Sequence, residues 1–334
     1  MPSITRSIAV TATALTAALP LAPAAHAARA DVPPAHTRPH AAPRVTAAYE
    51  LPGDRVYPEG IAADPRTGAL YAGSYTDGTV YRTTPGRRVA EVFLPAGADG
   101  RHTANGLKVD ASGRLWVTDS TKGVTVYDTR TRRPLARFEV PGTGGRFVND
   151  LAIAPDGSAY LTDSVRPVVY RVTPRQVARG GGALTPFFDL SHVLRPHAPD
   201  AFNLNGIVAD PAGRLYTADM TGGDLYRLDP ATGAIRRVAL SGGDMINADG
   251  LELRHGRLWV VHNRDNTISR WRLTAAGTAA RVERRLTDPA LQLPTTLVRS
   301  RGTLYVVRSQ FDKGGPLGPG TPQIPFTIAA VRGI

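Results

Sequence analysis

Six positions offer chemistry, because each carries an oxygen-bearing side chain at the same place in a recurring phrase: Glu59, Asn105, Asn149, Asn205, Asp249 and Thr295. In Asn205-Gly206-Ile207-Val208-Ala209-Asp210 the first residue stands just before a short apolar run; a turn and a second run through Leu215-Tyr216 follow. Five of the six present a carboxylate or a carboxamide oxygen, and none is soft. Brought to one axis, two carboxylates balance a divalent charge while amide oxygens add ligands without surplus charge. That donor set suits Ca²⁺ first, with Mg²⁺, Mn²⁺ or Zn²⁺ as alternatives, and water in the open positions. The competing reading makes these residues ordinary turn formers. Turn preference does not account for Glu59, nor for one shared register in every copy.

The elements that must position them follow from the repeat. The equivalent positions Gly60, Gly106, Asp150, Gly206, Gly250 and Thr296 are separated by 46, 44, 56, 44 and 46 residues. A period of ~40–50 residues with four strands per unit is the mark of a β-propeller blade. In the fourth unit the strands are predicted at 206–209, 214–218, 224–228 and 235–239, with Asp210-Pro211-Ala212-Gly213 a turn. The fold class is therefore all-β, a six-bladed propeller of four-stranded blades spanning residues 44–334. The sixth unit supplies only three strands, at 296–298, 303–307 and 327–331. The unassigned run Arg44–Leu51 is predicted to complete it and close the ring, leaving no open edge. In this topology the six residues surround one mouth of the channel, and turns such as Asp210–Gly213 lie at the other. Two long segments, 175–203 and 313–326, fall on the mouth side as lids or pocket walls. Tyr71, Trp116, Tyr160, Tyr216, Trp259 and Tyr305 recur once per unit and read as packing between blades. Asp119, Asp163, Asp219 and Asn263 read as turn caps after the second strands.

Composition narrows the function classes. The 34 glycines and 28 prolines suit many short strands. There is no cysteine, which removes zinc-thiolate, iron–sulfur and thiol-nucleophile chemistry. Redox chemistry at copper or iron finds no closely spaced histidine ligands. The net charge of +12 is spread over Arg pairs between third and fourth strands, without interleaved aromatics. It reads as solvated outer turns and not as a nucleic-acid surface. Residues 1–27 have the pattern of a secretory signal with a cleavage site at Ala25-His26-Ala27, so the protein is expected to be secreted; residues 28–43 read as a disordered linker. No membrane span is expected after it, and the propeller is expected to be a monomer acting on a small molecule.

Pro58-Glu59-Gly60, Arg146-Phe147-Val148-Asn149-Asp150, Asn205-Gly206-Ile207 and Ala248-Asp249-Gly250-Leu251 together resemble the senescence marker protein/gluconolactonase family of six-bladed propellers, with distant similarity to paraoxonases. The resemblance implies a divalent cation on Glu59, Asn205 and Asp249. It places Asn149 at the cation's water or the substrate, and Arg146 at the substrate, although Val148 is an extra residue in that motif. It implies metal-assisted hydrolysis of a lactone or related ester, with Asp249 taking a proton from water and Asn105 or Asn149 orienting the substrate. His102, three residues before Asn105, is either a proton shuttle or a surface histidine. The alternatives are a lyase opening a cyclic ester, which would want a histidine such as His102 near the metal, and a non-catalytic binding or scaffold propeller.

Overall fold

A computed structural model of the chain describes residues 43–198 and 201–334. The expected signal segment and nearly all of the expected linker lie outside the described residues. Six sheets follow one another, each four strands deep with a further short strand on two of them. Blade one is Pro58–Ala63, Leu70–Ser74, Val80–Arg82 and Glu91–Leu94. Blade two is Leu107–Val109, Arg114–Asp119, Gly123–Asp128 and Pro134–Glu139. Blade three is Val148–Ile153, Ala159–Asp163, Val168–Val172 and Thr185–Asp189. Blade four is Leu204–Ala209, Leu215–Asp219, Asp224–Asp229 and Ala234–Arg237. Blade five is Ala248–Arg254, Arg257–His262, Thr267–Leu273 and Ala279–Thr287. Blade six is Pro294–Ser300, Thr303–Arg308, Phe326–Arg332 and, from the N-terminal side, Arg44–Leu51.

The closure is as the sequence predicts. Arg44–Leu51 pairs antiparallel with Phe326–Arg332, from Arg44 opposite Arg332 to Leu51 opposite Phe326. The innermost strands of successive blades meet all the way round, blade six against blade one included. Hydrophobic burial drives this arrangement, and it occurs between blades. Each of six apolar clusters joins one blade to the next: Tyr71 and Phe93 of blade one meet Leu107 and Tyr127 of blade two, and Trp116 of blade two meets Leu151 and Tyr170 of blade three. Tyr71, Trp116, Tyr160, Tyr216 and Trp259 are all buried in this way, while Tyr305 is half-buried against Tyr49 of the closing strand.

Two expectations change. The segment 175–203 is not one long loop. It holds a one-turn helix, Pro174–Ala178, capped by Thr173 and Gln176, and then Gly181–Ala183, which pairs in parallel with the outer strand of blade two. Thr185–Asp189, the outer strand of blade three, follows. Only its last half, from Leu190, is free to wall the mouth. In blade four the fourth strand stops at Arg237; Ala239–Ser241 crosses to pair with the outer strand of blade five.

Candidate metal centre and substrate cavity

Five of the six residues do not simply precede their strands. In five blades the innermost strand starts one residue earlier, and its register against the second strand slips across Glu59-Gly60, Asn149-Asp150, Asn205-Gly206, Asp249-Gly250 and Thr295-Thr296. These are β-bulges, which re-aim a side chain that a regular strand would send into the sheet. The residue after each ring position shows why glycine recurs there. A Cβ on Gly60 would stand 1.7 Å from the Asn105 carbonyl oxygen, and one on Gly206 would stand 2.2 Å from that of Asp249. Each glycine thus lets the next blade's ring residue close in. Threonines of the second strands hold the contact: Thr118 donates to the Asn149 carbonyl at 2.6 Å and Thr162 to that of Asn205 at 2.7 Å.

A second set of residues turns the side chains. Asn105 donates its Nδ2 to Ser120 Oγ at 2.9 Å, and Asn149 donates to Ser164 Oγ at 2.9 Å. The Asn205 amide nitrogen lies 3.3 Å from Met220 Sδ. With each nitrogen engaged, the oxygens are left over. Glu59 Oε2, Asn105 Oδ1, Asn149 Oδ1 and Asn205 Oδ1 are buried without a partner. Among the described residues no other carboxylate or carboxamide oxygen is in that state. A buried acceptor left unmade costs about 1–3 kcal/mol, and four in one ring point to something that binds there.

The fifth member, Asp249, accepts from Asn263 Nδ2 at 2.8 Å through Oδ2. Asn263 opens the turn after its strand, accepting from the Arg264 backbone at 2.6 Å, and it also stands at the Ser120 position of its blade. Thr295 contributes nothing to the ring, because its hydroxyl is spent on the Glu59 carbonyl at 2.6 Å. Burial raises the Glu59 carboxyl well above its ordinary range, and the charges of Asp249 and Asp150 add to this. Burial likewise pushes Asp249 up to about 7, against the hydrogen bond from Asn263. Asp150 is buried beneath the ring, and Lys108 Nζ lies 3.5 Å from its Oδ1. The ring therefore concentrates negative charge beyond what one partly buried ammonium neutralises. Hard oxygens, two carboxylates and unmet acceptors fit a divalent cation; Glu59, Asn149, Asn205 and Asp249 are the residues that would hold it.

Those four line one cavity of about 680 Å³. Its walls add Tyr75, Phe147, Phe202, Met220, Ile246 and Phe311. Both mouth-side segments reach it, the first through Ala201 and Phe202, the second through Pro316 and Leu317. A larger cavity, about 790 Å³, opens at the turn end of the channel. There Asp110 and Asp210 are already paired with Arg114 and Arg214, each at 2.7 Å.

A family model described as SMP-30/Gluconolactonase/LRE-like region matches residues 57–306, from just before the first ring residue to the second strand of blade six. The chain belongs to this family. A gluconolactonase from Xanthomonas campestris superposes with a TM-score of 0.61 at 18% identity, over 87% of this chain and 90% of that one. The PQQ-bound aldose sugar dehydrogenase of Streptomyces coelicolor gives 0.56 at 14% identity, over 87% and 98%. A virginiamycin B lyase from Staphylococcus aureus gives 0.54 at 13%, over 87% and 99%. At these identities the likeness is one of fold. No protein in the curated comparison matches the sequence.

Within this SMP-30/gluconolactonase-like chain the remaining expected site residues fall outside the cavity lining. Asn105 is fully buried in the ring. His102 is exposed, and only its backbone is engaged, donating to Asp119 Oδ2 at 2.6 Å. Arg146 points along the rim and donates to the carbonyls of Thr121 and Gly142, both at 2.8 Å. The extra residue Val148 occupies the strand ahead of the bulge, which leaves Arg146 outside the mouth. Among the described residues no histidine lines the cavity. His197 bonds Asp219 at 2.9 Å, and His262 is buried. Three contributors escape the sequence reading: Asp150, Lys108 and the aromatic wall. Asp150 carries a legible signal, since it breaks the glycine pattern at its position.

Proposed function

We propose that the protein is a divalent-metal-dependent hydrolase of lactones or related esters, acting in the 680 Å³ cavity at the mouth of the propeller. The ring of unpartnered oxygens on Glu59, Asn149 and Asn205 beside the Asp249 carboxylate carries this reading. When bound, the cation supplies a Lewis acid that polarises an ester carbonyl and favours ionisation of water. Asp249, anchored through Oδ2 by Asn263, takes a proton from the attacking water and returns it to the alkoxide released when the ring C–O bond breaks. Asn149 and Asn205 offer fixed oxygens that would hold the cation and orient the water. Ca²⁺ fits the neutral-rich oxygen set best. An elimination of the lyase kind lacks a histidine in the lining and is the weaker reading. The N-terminal pattern supports secretion.

The test is a chelator-treated sample assayed on a panel of lactones by proton release, then reloaded with Ca²⁺, Mg²⁺ or Mn²⁺. Hydrolysis that disappears and returns with the cation agrees with the proposal. Hydrolysis untouched by chelation removes the metal from it, and an unsaturated product in place of a hydroxy acid moves the protein to the lyases.

A further inference from the structure

The wall of the cavity above the ring is chemically unlike the ring. Phe147 and Phe202 approach with centroids 4.7 Å apart, Tyr75 and Phe311 at 5.2 Å, and Tyr75 stacks towards Phe147 at 6.5 Å. These aromatics come from separate places, Tyr75 after the second strand of blade one and Phe147 before the bulge of blade three. Phe202 comes from the first mouth-side segment, and Phe311 follows the second strand of blade six, just ahead of the other segment. Three large apolar side chains on this rim, Phe202, Ile246 and Leu317, remain 38–39% exposed. Apolar groups gathered on one rim mark a place where apolar surface is received.

The polar groups of the same wall are already occupied. Thr221 donates its hydroxyl to the Phe202 carbonyl. Asn247 donates its amide to Asp265 at 3.2 and 3.3 Å. Asn263 donates to Asp249 and accepts from the Arg264 backbone at 2.6 Å. Among the described residues, apart from the ring, only the Tyr75 hydroxyl and Arg264 add polar character. A polyhydroxylated sugar lactone brings several hydroxyls, each of which loses water on entry and needs a partner. An alkyl or aryl substituent needs none.

We propose that this cavity selects lactones carrying an apolar alkyl or aryl substituent and discriminates against sugar lactones, with Phe147, Phe202 and Phe311 as the specificity determinants. The inference rests on the lactone-hydrolase reading above and names its substrate class. The ester group sits at the ring of oxygens, and the substituent lies along the aromatic wall towards the mouth.

Two measurements on the full chain, loaded with Ca²⁺, test it. The first compares kcat/KM for gluconolactone, an unsubstituted six-membered lactone, the same lactone with a four- or eight-carbon chain, and an aryl-substituted one. Burial of one methylene is worth about fourfold, so the four-carbon chain should raise kcat/KM by roughly 50-fold or more over the unsubstituted ring. Phe202→Ala and Phe147→Ala should flatten that rise, bringing the ratio of kcat/KM between the alkyl-substituted and the unsubstituted lactone towards one. The second measures binding of alkyl-substituted lactams, which are amide analogues, by calorimetry. Affinity should climb with chain length in the unmodified protein and stay flat in the alanine variants. Gluconolactone turned over as fast as the alkyl lactones, or a chain-length response unchanged by both variants, overturns the inference. Chain-length-dependent lactam binding without hydrolysis of any lactone would instead remove the hydrolase reading and keep the apolar selectivity. Absence of both overturns both.

Discussion

The decisive side chains are held by partners that turn them. Asn263 is the plainest case, because the hydrogen bond that its amide donates fixes the Asp249 carboxylate at 2.8 Å. Asn263→Ala should leave the fold intact and lower both cation affinity and kcat/KM by roughly 10–100-fold, the usual cost of losing a group that orients a ligand. Asn263→Gln should not rescue it, since the longer amide overshoots; equal activity of the alanine variant would remove the positioning role. His262 makes a different prediction. Its Nδ1 lies 2.8 Å from the Ile246 carbonyl and its Nε2 lies 2.7 Å from Ser269 Oγ, which also accepts from Trp271 Nε1. This chain fits the neutral ring, and burial holds its pKa below the ordinary histidine value, with the Arg285 charge acting in the same direction and Asp265 and Asp244 against it. A depressed histidine stabilises the fold above its unfolded pKa of about 6.5, and that contribution is lost as pH falls through the folded value. Tm should therefore fall on going from pH 7 to pH 5, and His262→Asn should flatten that slope; an unchanged slope would place the acid sensitivity elsewhere.

The bulge and the strand that closes the ring are the elements that matter. Gly206 shows how tightly the bulges fit: Gly206→Ala places a methyl 2.2 Å from the Asp249 carbonyl oxygen, so backbone must move. Overpacking of this kind costs about 1–3 kcal/mol, and it should lower Tm by several degrees while displacing Asp249 enough to cut activity. Gly213→Ala in the opposite turn, with open space around the Cβ but a φ of 83°, should cost stability without that loss of activity. Removal of Arg44–Leu51 should expose the edge of Phe326–Arg332 and bring aggregation or a large fall in Tm, whereas removal of residues 28–42 should leave the melt unchanged. Like melting curves for the two truncations would refute closure by that strand. Much of this was legible: the ~40–50-residue period and the missing fourth strand of the last unit predict both the blades and their closure. The bulges were not, because a register slip leaves the apolar alternation on either side unchanged. The fourth strand of blade three was hidden for a similar reason, since the one-turn helix and crossing strand before it stretch that repeat to 56 residues.

At the scale of the whole molecule the propeller sets two environments on one axis. The ring of hard oxygens is readable from residue type and register, because six copies place one side chain at equivalent depth. The aromatic wall is not readable, since Tyr75, Phe147, Phe202 and Phe311 hold no shared position in the repeat and meet only when the ring closes. His102 and Arg146 show the reverse limit: nearness in sequence to a ring residue does not bring a side chain to the mouth. The unpartnered oxygens are proposed to bind one divalent cation. Calorimetric titration of Ca²⁺ into chelator-treated protein tests it most directly, with Asn205→Ala and Glu59→Gln compared with Asp210→Ala at the far end of the channel. One site per chain is expected in the unmodified protein and in Asp210→Ala, with affinity weakened by at least about tenfold in each ring variant. No binding of Ca²⁺, Mg²⁺ or Mn²⁺ by the unmodified protein, or equal binding by all the variants, would contradict it.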